Sequence, residues 1–167
     1  IRALTLGFPN VGKSALINRI ANKRVVDSAR KAGVTRNLRW IRLESGIDLL
    51  DAPGVIPPNL EDQKSALNLA ICDDIGEAAY EIESVAVEFI KIISKLSKDK
   101  NANISLRRIT NRYSVNIAKG FESPTQWLDE AALIHTSGDK RRMAYKLIED
   151  YRNQMLGKIS LEVPIWD

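Results

Sequence analysis

The feature that most constrains this chain of 167 residues is the stretch from Ile1 to Ser14. Its first six residues, I-R-A-L-T-L, form a short, mainly apolar run that predicts a β-strand. The next eight, Gly7 to Ser14, read G-F-P-N-V-G-K-S and match the pattern G-x-x-x-x-G-K-[ST]. We predict a helix from Lys13 to about Ala21, so the pattern lies between a strand and a helix, which is the context of a phosphate-binding loop. The alternative is a glycine-rich strand–helix turn that binds no ligand.

The residue types in this loop suit the binding of a nucleoside triphosphate. Gly7 and Gly12 allow the backbone to bend so that successive N–H groups point at one anion, and the following helix adds its positive end. We expect Lys13 to reach the β- and γ-phosphates and the Ser14 hydroxyl to ligate Mg²⁺. The residues predicted to contact the nucleotide in this loop are Asn10, Val11, Gly12, Lys13, Ser14 and Ala15.

A second pattern follows about forty residues later. Leu38–Leu43 alternates apolar and basic residues, and Ile47–Leu50 continues after a Glu-Ser-Gly turn, so the two predict a β-hairpin. The second strand ends on D-A-P-G, at Asp51 to Gly54. An aspartate in this position is placed to hold Mg²⁺ through water, and Gly54 has no Cβ to keep its N–H away from a γ-phosphate. The alternative for Asp51 is an ordinary turn residue at a strand end.

The segment between the first helix and the hairpin is predicted to be a loop. Asp27–Gly33 contains turn formers and shows no periodicity. Thr35 follows, and we expect its hydroxyl to close over the Mg²⁺ ion, unless it is an ordinary loop threonine. Lys13, Thr35 and Gly54 are then the predicted catalytic residues. Together these loops predict a two-switch device that is ordered by the third phosphate and released when that phosphate leaves.

The rest of the chain is predicted to be helical, with a domain boundary near Gly76. Residues 1–75 form a predicted α/β domain, and residues 76–167 form a predicted small all-α bundle because no strand pattern appears between Gly76 and Gly157. The helices predicted in the bundle run from Ala79 to Leu96, from Ser105 to about Tyr113, from a capping box at Ser123 to about His135, and from Ser137 to Gly157. The last of these has an apolar face formed by Ala144, Leu147, Ile148, Tyr151 and Met155.

Composition limits the remaining possibilities. An apolar content of 44% and a charged content of 28% are ordinary for a globular protein. No stretch approaches the roughly 20 apolar residues that a membrane-spanning helix needs, so no membrane partner is predicted. The single cysteine, Cys72, excludes an internal disulfide and a multi-cysteine metal site. Because its neighbours are apolar, we expect Cys72 to be buried.

The net charge of +4 is unevenly distributed. The stretch from Arg19 to Arg42 contains eight basic residues and one acid, Asp27, which favours an anionic partner such as nucleic acid. The last predicted helix carries a second basic group. Its members are Arg141, Arg142, Lys146 and Arg152. Such a stripe suits phosphate contacts along RNA, although a solvated loop and a solvated helix face explain the two groups equally well.

The motifs as they are spelled here carry a family resemblance. G-F-P-N-V-G-K-S, K-A-G-V-T-R and D-A-P-G-V-I-P-P resemble the G1, G2 and G3 motifs of translation-factor-class GTPases, and the wording is similar to the ribosome biogenesis GTPase A family, in particular its cyanobacterial and plastid branch. The resemblance continues to the closing G-K-I-S-L-E-V-P and so covers nearly the whole chain. The fold it implies is a partial phosphate-loop NTPase (G) domain followed by the helical bundle.

The resemblance also implies a function. Members of this family bind GTP and GDP with Mg²⁺, hydrolyse GTP, and assist assembly of the large ribosomal subunit, with a helical C-terminal domain that contacts ribosomal RNA. The implied location is the bacterial cytoplasm or the chloroplast stroma, and we expect a monomer away from the ribosome. Two other functions stay open: an RNA- or ribosome-binding module without nucleotide turnover, and a phosphate-loop ATPase.

The chain departs from the family at the guanine-reading motif. Family members are circularly permuted, with N/T-K-x-D ahead of the phosphate loop. No such motif is present here, since Asn22-Lys23 is followed by Val25 where aspartate is required. We therefore expect the leading half of the G domain, with its G4 and G5 motifs, to precede Ile1. The preference for GTP over ATP rests on the resemblance alone.

The hydrolytic group is not evident in the sequence. GTPases place a glutamine just after D-x-x-G to orient the attacking water, whereas Val55-Ile56-Pro57 offers no polar side chain. Asn10 resembles the phosphate-loop asparagine of GTPases that bind K⁺ where an arginine finger would otherwise lie, and a cation there would neutralise charge as the phosphates separate. The alternative is an asparagine that only stabilises the loop.

Overall fold

The computed structural model describes residues 1–27, 37–56, 63–76, 79–99 and 104–162. The chain divides into two compact units, Ile1–Gly76 and Glu77–Asp167. The first is α/β and the second is all-α over its described residues. This mixed architecture confirms the predicted fold class.

The first unit is built on a three-stranded sheet. Its elements are β1 (Arg2–Thr5), α1 (Lys13–Ile20), β2 (Arg39–Arg42), β3 (Asp48–Asp51) and α2 (Gln63–Ile71). The strand order is β1-β3-β2, with β1 parallel to β3 and β2 antiparallel to it. The predicted hairpin is therefore confirmed. Strand β1 lies on the other side of β3, so β3 is the central strand.

Helix α1 covers one face of this sheet. Strand residues alternate between the two faces, and one face carries Ile41 and Leu49, which pack with Ile17 of α1. On the opposite face, Leu4 and Trp40 flank Leu50 in register and are 52% and 54% exposed. The core of the described first unit thus lies between α1 and one side of the sheet.

The register of the sheet determines which loops meet. Thr5 at the end of β1 is paired with Asp51 at the end of β3. Because the two strands are parallel, the loops that follow them leave from the same edge of the sheet. The backbone N–H of Val55 donates to the carbonyl of Gly7 at 3.1 Å, which joins the two loops directly.

Over its described residues, the second unit is a bundle of five helices. They are α3 (Ile82–Leu96), α4 (Leu106–Tyr113), α5 (Ile117–Glu122), α6 (Pro124–His135) and α7 (Lys140–Arg152). Helix α3 buries its apolar stripe, as its three- and four-residue spacing predicts. The largest buried side chains around it are Phe89, Ile90, Tyr113, Trp127, Met143 and Leu147. Sequence analysis missed α5, which has only six residues and shows too little periodicity to be recognised.

One predicted helix start in the bundle is confirmed and one is wrong. Helix α6 begins at Pro124 with Ser123 as its N-cap, as predicted, but the Ser123 side chain caps no backbone N–H, so the capping box itself is wrong. Its N–H bonds to Lys119 and closes α5, which constrains the backbone of this shared residue. Helix α7 does not start at Ser137, because Ser137 has a left-handed φ of 53°. Asp139 is the N-cap instead, and its Oδ1 accepts from the N–H of Arg142 at 2.9 Å.

Two further predictions about buried and terminal residues are wrong. Helix α7 ends at Arg152, not Gly157, since Gln154 already adopts a left-handed φ of 59°. The chain leaves the helix there and Met155 is 47% exposed. Cys72 is exposed, because α2 ends one residue earlier and the chain turns at Asp73, whose φ is 68°.

A buried charge network joins α4 to α7. Arg112 donates from Nε and Nη2 to the two carboxylate oxygens of Asp150 at 2.6 and 2.5 Å, and the Tyr113 hydroxyl donates to Oδ2 at 2.8 Å. Burial by itself would raise the pKa of Asp150, but the hydrogen bonds from Arg112 and Tyr113 outweigh it and lower the pKa below its usual 3.8. Such a bidentate pair holds two helices in one register.

We expect Asp150→Asn to lower the unfolding free energy of the helical unit by about 3 kcal/mol at neutral pH, because it leaves a half-buried guanidinium without its partner. A depressed pKa stabilises the fold above pH 3.8, and this contribution is lost as the pH falls through the folded value. The melting temperatures of wild type and variant should therefore converge in acid.

The control is Glu130→Gln, which removes an exposed ion pair with Lys119 of 3.6 Å. It should change the unfolding free energy by less than about 1 kcal/mol. A pH-independent gap between the wild-type and Asp150→Asn melting curves would contradict the assignment.

Candidate phosphate-binding site

The loop between β1 and α1 contains residues in the left-handed backbone conformation. Asn10 and Gly12 both have positive φ, 57° and 91°. Gly12 is the N-cap of α1 and is left-handed, a conformation that a glycine adopts without a Cβ clash. The carbonyl of Gly12 accepts from the N–H of Leu16 at 2.8 Å, so the helix begins directly at the loop. The start of α1 at Lys13 confirms the predicted strand–loop–helix context.

Lys13 lies back across this loop. Its Nζ donates to the carbonyl of Phe8 at 2.6 Å and to that of Gly7 at 3.2 Å. These contacts hold the ammonium group above the loop backbone. The charge that would meet a phosphate is therefore positioned by the loop itself.

The D-A-P-G segment packs tightly against the loop. A Cβ built on Gly54 would lie 2.5 Å from the N and 2.6 Å from the Cα of Pro9, which real Cβ atoms do not tolerate. Together with the hydrogen bond from Val55 to Gly7, this contact brings the chain after β3 onto the chain after β1. The sequence indicated that Gly54 had to be small for a ligand; the structure shows that it must also be small for Pro9.

Asp51 is buried at the junction of these loops, with an exposed fraction of 1%. Its Oδ1 has no hydrogen-bond partner among the described residues. Burial raises the pKa of Asp51, and the charges of Lys13 and Arg39 act in the opposite direction. A buried carboxylate oxygen without a donor, next to a phosphate-type loop, fits a Mg²⁺ ion held through water.

The described residues contain no cluster of three His, Cys, Asp or Glu side chains that could hold a metal. Ser14, in the first turn of α1, is the second protein group near the loop that could serve such an ion.

Several contacts at the site escaped sequence analysis. The Asn10 Nδ2 donates to the carbonyl of Asp73 at 2.5 Å and ties the loop to the turn after α2. The Asn18 side chain accepts from the N–H groups of Val25 and Val26 and fixes the chain leaving α1. Arg39 pairs in register with Asp51, a placement that the hairpin register could have indicated.

The structure describes some of the predicted site residues and not others. The loop residues, Asp51 and Gly54 lie in one region of the first unit. Thr35 and Pro57 lie outside the described residues, as do Arg30, Lys31 and Arg36 of the basic stretch. Other members of that stretch form surface ion pairs: Lys23 with Glu44, Arg24 with Asp27, and Arg42 with Asp48.

A parallel strand pair, a phosphate-type loop leading into a helix, and a buried aspartate that opens the D-A-P-G segment together define a phosphate-loop NTPase domain. The profile of the family described as "50S ribosome-binding GTPase" matches residues 2–112. The chain belongs to this family.

Relatives agree with this placement. Ribosome biogenesis GTPase A of Bacillus pumilus is 30% identical over 98% of this chain and 57% of the relative. Its counterpart in Bacillus cereus is 31% identical over 98% of this chain and 54% of the relative. The predicted family resemblance is confirmed. The chain spans just over half the length of these curated relatives.

Solved structures share the fold. GDP-bound YlqF superimposes with a TM-score of 0.59 at 21% identity, covering 98% of this chain and 60% of that one. GNP-bound YlqF from T. maritima gives 0.56 at 20% identity, covering 96% and 58%. Within the described residues, no helix is both long and apolar enough to cross a bilayer.

Proposed function

We propose that this chain is part of a GTP-binding and GTP-hydrolysing switch that assists assembly of the large ribosomal subunit. The observation that carries the proposal is the direct packing of the D-A-P-G segment on the phosphate-type loop, at Gly54 and Pro9. A group bound in the loop would be sensed at once by the chain after β3. The family description and the names of the bacterial relatives support the ribosomal role and a bacterial cytoplasmic location.

The roles that we propose combine the positions of the described loop residues with the sequence motifs. The N–H groups of the loop and the Lys13 ammonium bind the phosphates, with Asn10, Val11, Gly12, Ser14 and Ala15 forming the rest of the loop. Ser14 and the buried Asp51 hold Mg²⁺, which on binding offsets the charge of the β- and γ-phosphates. The N–H of Gly54 donates to the γ-phosphate. Thr35 completes the Mg²⁺ shell in the nucleoside triphosphate state.

Guanine recognition is proposed to come from outside these 167 residues. The sequence contains no N/T-K-x-D motif, and the chain covers just over half of its relatives. The half-exposed side chains of Leu4 and Trp40 leave room on that face of the sheet for a further segment to pack.

A competition experiment tests the nucleotide. A fluorescent GTP analogue and Mg²⁺ are bound to the full-length native protein that contains this chain. Unlabelled GTP, GDP and ATP are then added in separate titrations. We expect GTP and GDP to displace it and ATP to fail. Displacement by ATP alone would indicate a phosphate-loop ATPase. No binding of the probe would leave only the RNA-binding module.

We further propose that K⁺ supports hydrolysis at Asn10. The described side chains after β3, Val55 and Ile56, offer no group that could orient the attacking water. We therefore assign the acceleration of hydrolysis to a cation that neutralises charge on the phosphates. GTP hydrolysis should be roughly tenfold or more faster in K⁺ than in Na⁺ at equal ionic strength. Asn10→Ala should abolish this difference while GDP binding persists. Equal wild-type rates in the two salts would contradict the role.

A second candidate function, RNA binding by the helical unit, is favoured by the basic residues of α7. Arg141 and Arg142 are exposed, and Arg152 reaches the Tyr80 hydroxyl at 3.4 Å. We propose that these residues, with Lys146 and the Arg19–Arg42 stretch, contact ribosomal RNA by charge, and that the protein is monomeric away from the ribosome. Affinity that is independent of salt would contradict this role.

A further inference from the structure

We propose that a cavity between the start of α4 and the chain after α7 binds a phosphate group of folded RNA. The inference rests on the proposed RNA-binding role and names a contact point for it. The cavity has a volume of about 220 Å³ and is lined by Ser105, Arg108, Leu156, Gly157 and Lys158. Of the described lining residues, two carry positive charge, one carries a hydroxyl group, and none is an acid.

The two cations are available to a ligand. Among the described residues, the ion pairs of the helical unit involve Lys91, Arg112, Lys119 and Lys140, and neither Arg108 nor Lys158 takes part in one. Both are exposed. A guanidinium that is not already paired can donate two parallel hydrogen bonds to a phosphate.

Gly157 turns the backbone beside Arg108. The glycine has a left-handed φ of 97°, and a Cβ there would lie 3.7 Å from Nη1 and 3.8 Å from Cδ of Arg108. The backbone therefore turns beside the guanidinium and places Lys158 next along the same wall. Leu156, which is fully buried, closes the apolar floor. The volume is smaller than the roughly 300–1,000 Å³ of small-molecule sites, and it suits a single phosphodiester rather than a whole nucleotide.

The basic residues of α7 have more acidic and hydrogen-bonding neighbours than the two cations of the cavity. A hydrogen bond to Tyr145 raises the pKa of Arg141, and Glu81 and Glu83 add to the shift. Lys140, which precedes the stripe on the same helix, pairs with Asp129 at 2.7 Å. Acidic neighbours weaken the attraction of such a stripe for phosphate. The described lining of the cavity by α4, in contrast, contains two cations and no acid.

The test uses the whole chain and a fluorescent RNA hairpin of about one helical turn, titrated at several salt concentrations. We expect the double variant Arg108→Gln/Lys158→Gln to bind the hairpin about tenfold more weakly or worse. The slope of log affinity against log salt should fall by about 1 for each charge removed. Arg108→Lys should retain part of the affinity because it keeps the charge but not the planar fork.

The matched control is Lys91→Gln/Lys119→Gln, which removes the same charge from residues paired with Glu88 and Glu130. Circular dichroism and melting curves check that all variants fold. Equal losses in the two double variants would show a non-specific charge effect and overturn the cavity assignment, as would unchanged binding in the first. A loss of poly-glutamate binding without a loss of RNA binding would assign the cavity to an acidic protein segment and also overturn it.

The binding measurements separate an error in the cavity assignment from an error in the proposed RNA-binding role. If the wild-type chain binds the hairpin and the cavity variant binds it equally well, only the cavity assignment falls. If the wild-type chain does not bind RNA, the RNA-binding role falls with it. The GTP competition experiment is independent of both results.

Discussion

Gly54→Ala is expected to abolish high-affinity nucleotide binding and to destabilise the first unit. The added Cβ would sit 2.5–2.8 Å from N, Cα and Cγ of Pro9, where two of the three contacts are backbone atoms that cannot rotate away. The D-A-P-G segment and the phosphate-type loop must therefore separate. We expect the unfolding free energy to fall by about 1–3 kcal/mol. The affinity for GTP should fall roughly 100-fold, because the hydrogen bond that we assign to the γ-phosphate is lost.

The matched control is Gly76→Ala. Gly76 lies in the same unit, is exposed, and has no atom within 4 Å of the Cβ position. Its replacement should leave the melting temperature and GTP affinity close to wild type. If Gly54→Ala binds GTP and GDP as the wild type does, the two loops do not form one site. If it loses GTP affinity but keeps GDP affinity, the γ-phosphate contact is supported specifically.

Asp51→Asn is expected to change stability and ligand binding in opposite directions. Without nucleotide, the variant should be the more stable protein near neutral pH, because the wild type holds a buried carboxylate whose Oδ1 has no partner among the described residues. With Mg²⁺ and GTP, the order should reverse. The wild type gains stability from the bound ligand, whereas the variant lacks the charge that we assign to the ion.

The pH dependence follows from the direction of the pKa shift. Burial raises the pKa of Asp51 above 3.8 in the folded state, despite Lys13 and Arg39. The folded state then holds the proton more tightly than the unfolded state, so stability decreases as the pH rises from 3.8 through the folded value. The advantage of the Asp51→Asn variant should therefore be present at pH 7 and shrink towards pH 4. Thermal melts of both proteins across this range measure it.

Asp48→Asn serves as the control, since Asp48 lies on the same strand, is partly exposed, and pairs with Arg42 at 3.9 Å. It should change neither the pH profile nor the Mg²⁺-dependent gain in melting temperature by much. A wild-type protein whose melting temperature does not respond to Mg²⁺ and GTP would contradict the metal role of Asp51. If the Asp51→Asn variant without nucleotide were less stable than wild type at pH 7, the assignment of a destabilising, unpartnered carboxylate at Asp51 would be wrong.

Local patterns predicted most of the secondary structure. The strand before Gly7, the helix from Lys13 and the hairpin ending at Asp51 all appear as expected, because each depends on residue spacing and turn chemistry within a short segment. Helix α3 appears for the same reason. Predictions failed where one residue serves two elements, as at Ser123, or where left-handed residues end a helix early, as at Gln154.

The sequence by itself determined that this chain carries a phosphate-type loop, a strand ending in D-A-P-G and a set of amphipathic helices, since glycine placement and hydrophobic periodicity act over a few residues. Only the tertiary structure decided that Gly54 touches Pro9, and that Asn10 reaches Asp73, 63 residues away. It likewise paired Arg112 with Asp150 across 38 residues. Such contacts depend on strand register and helix packing, which no local pattern encodes.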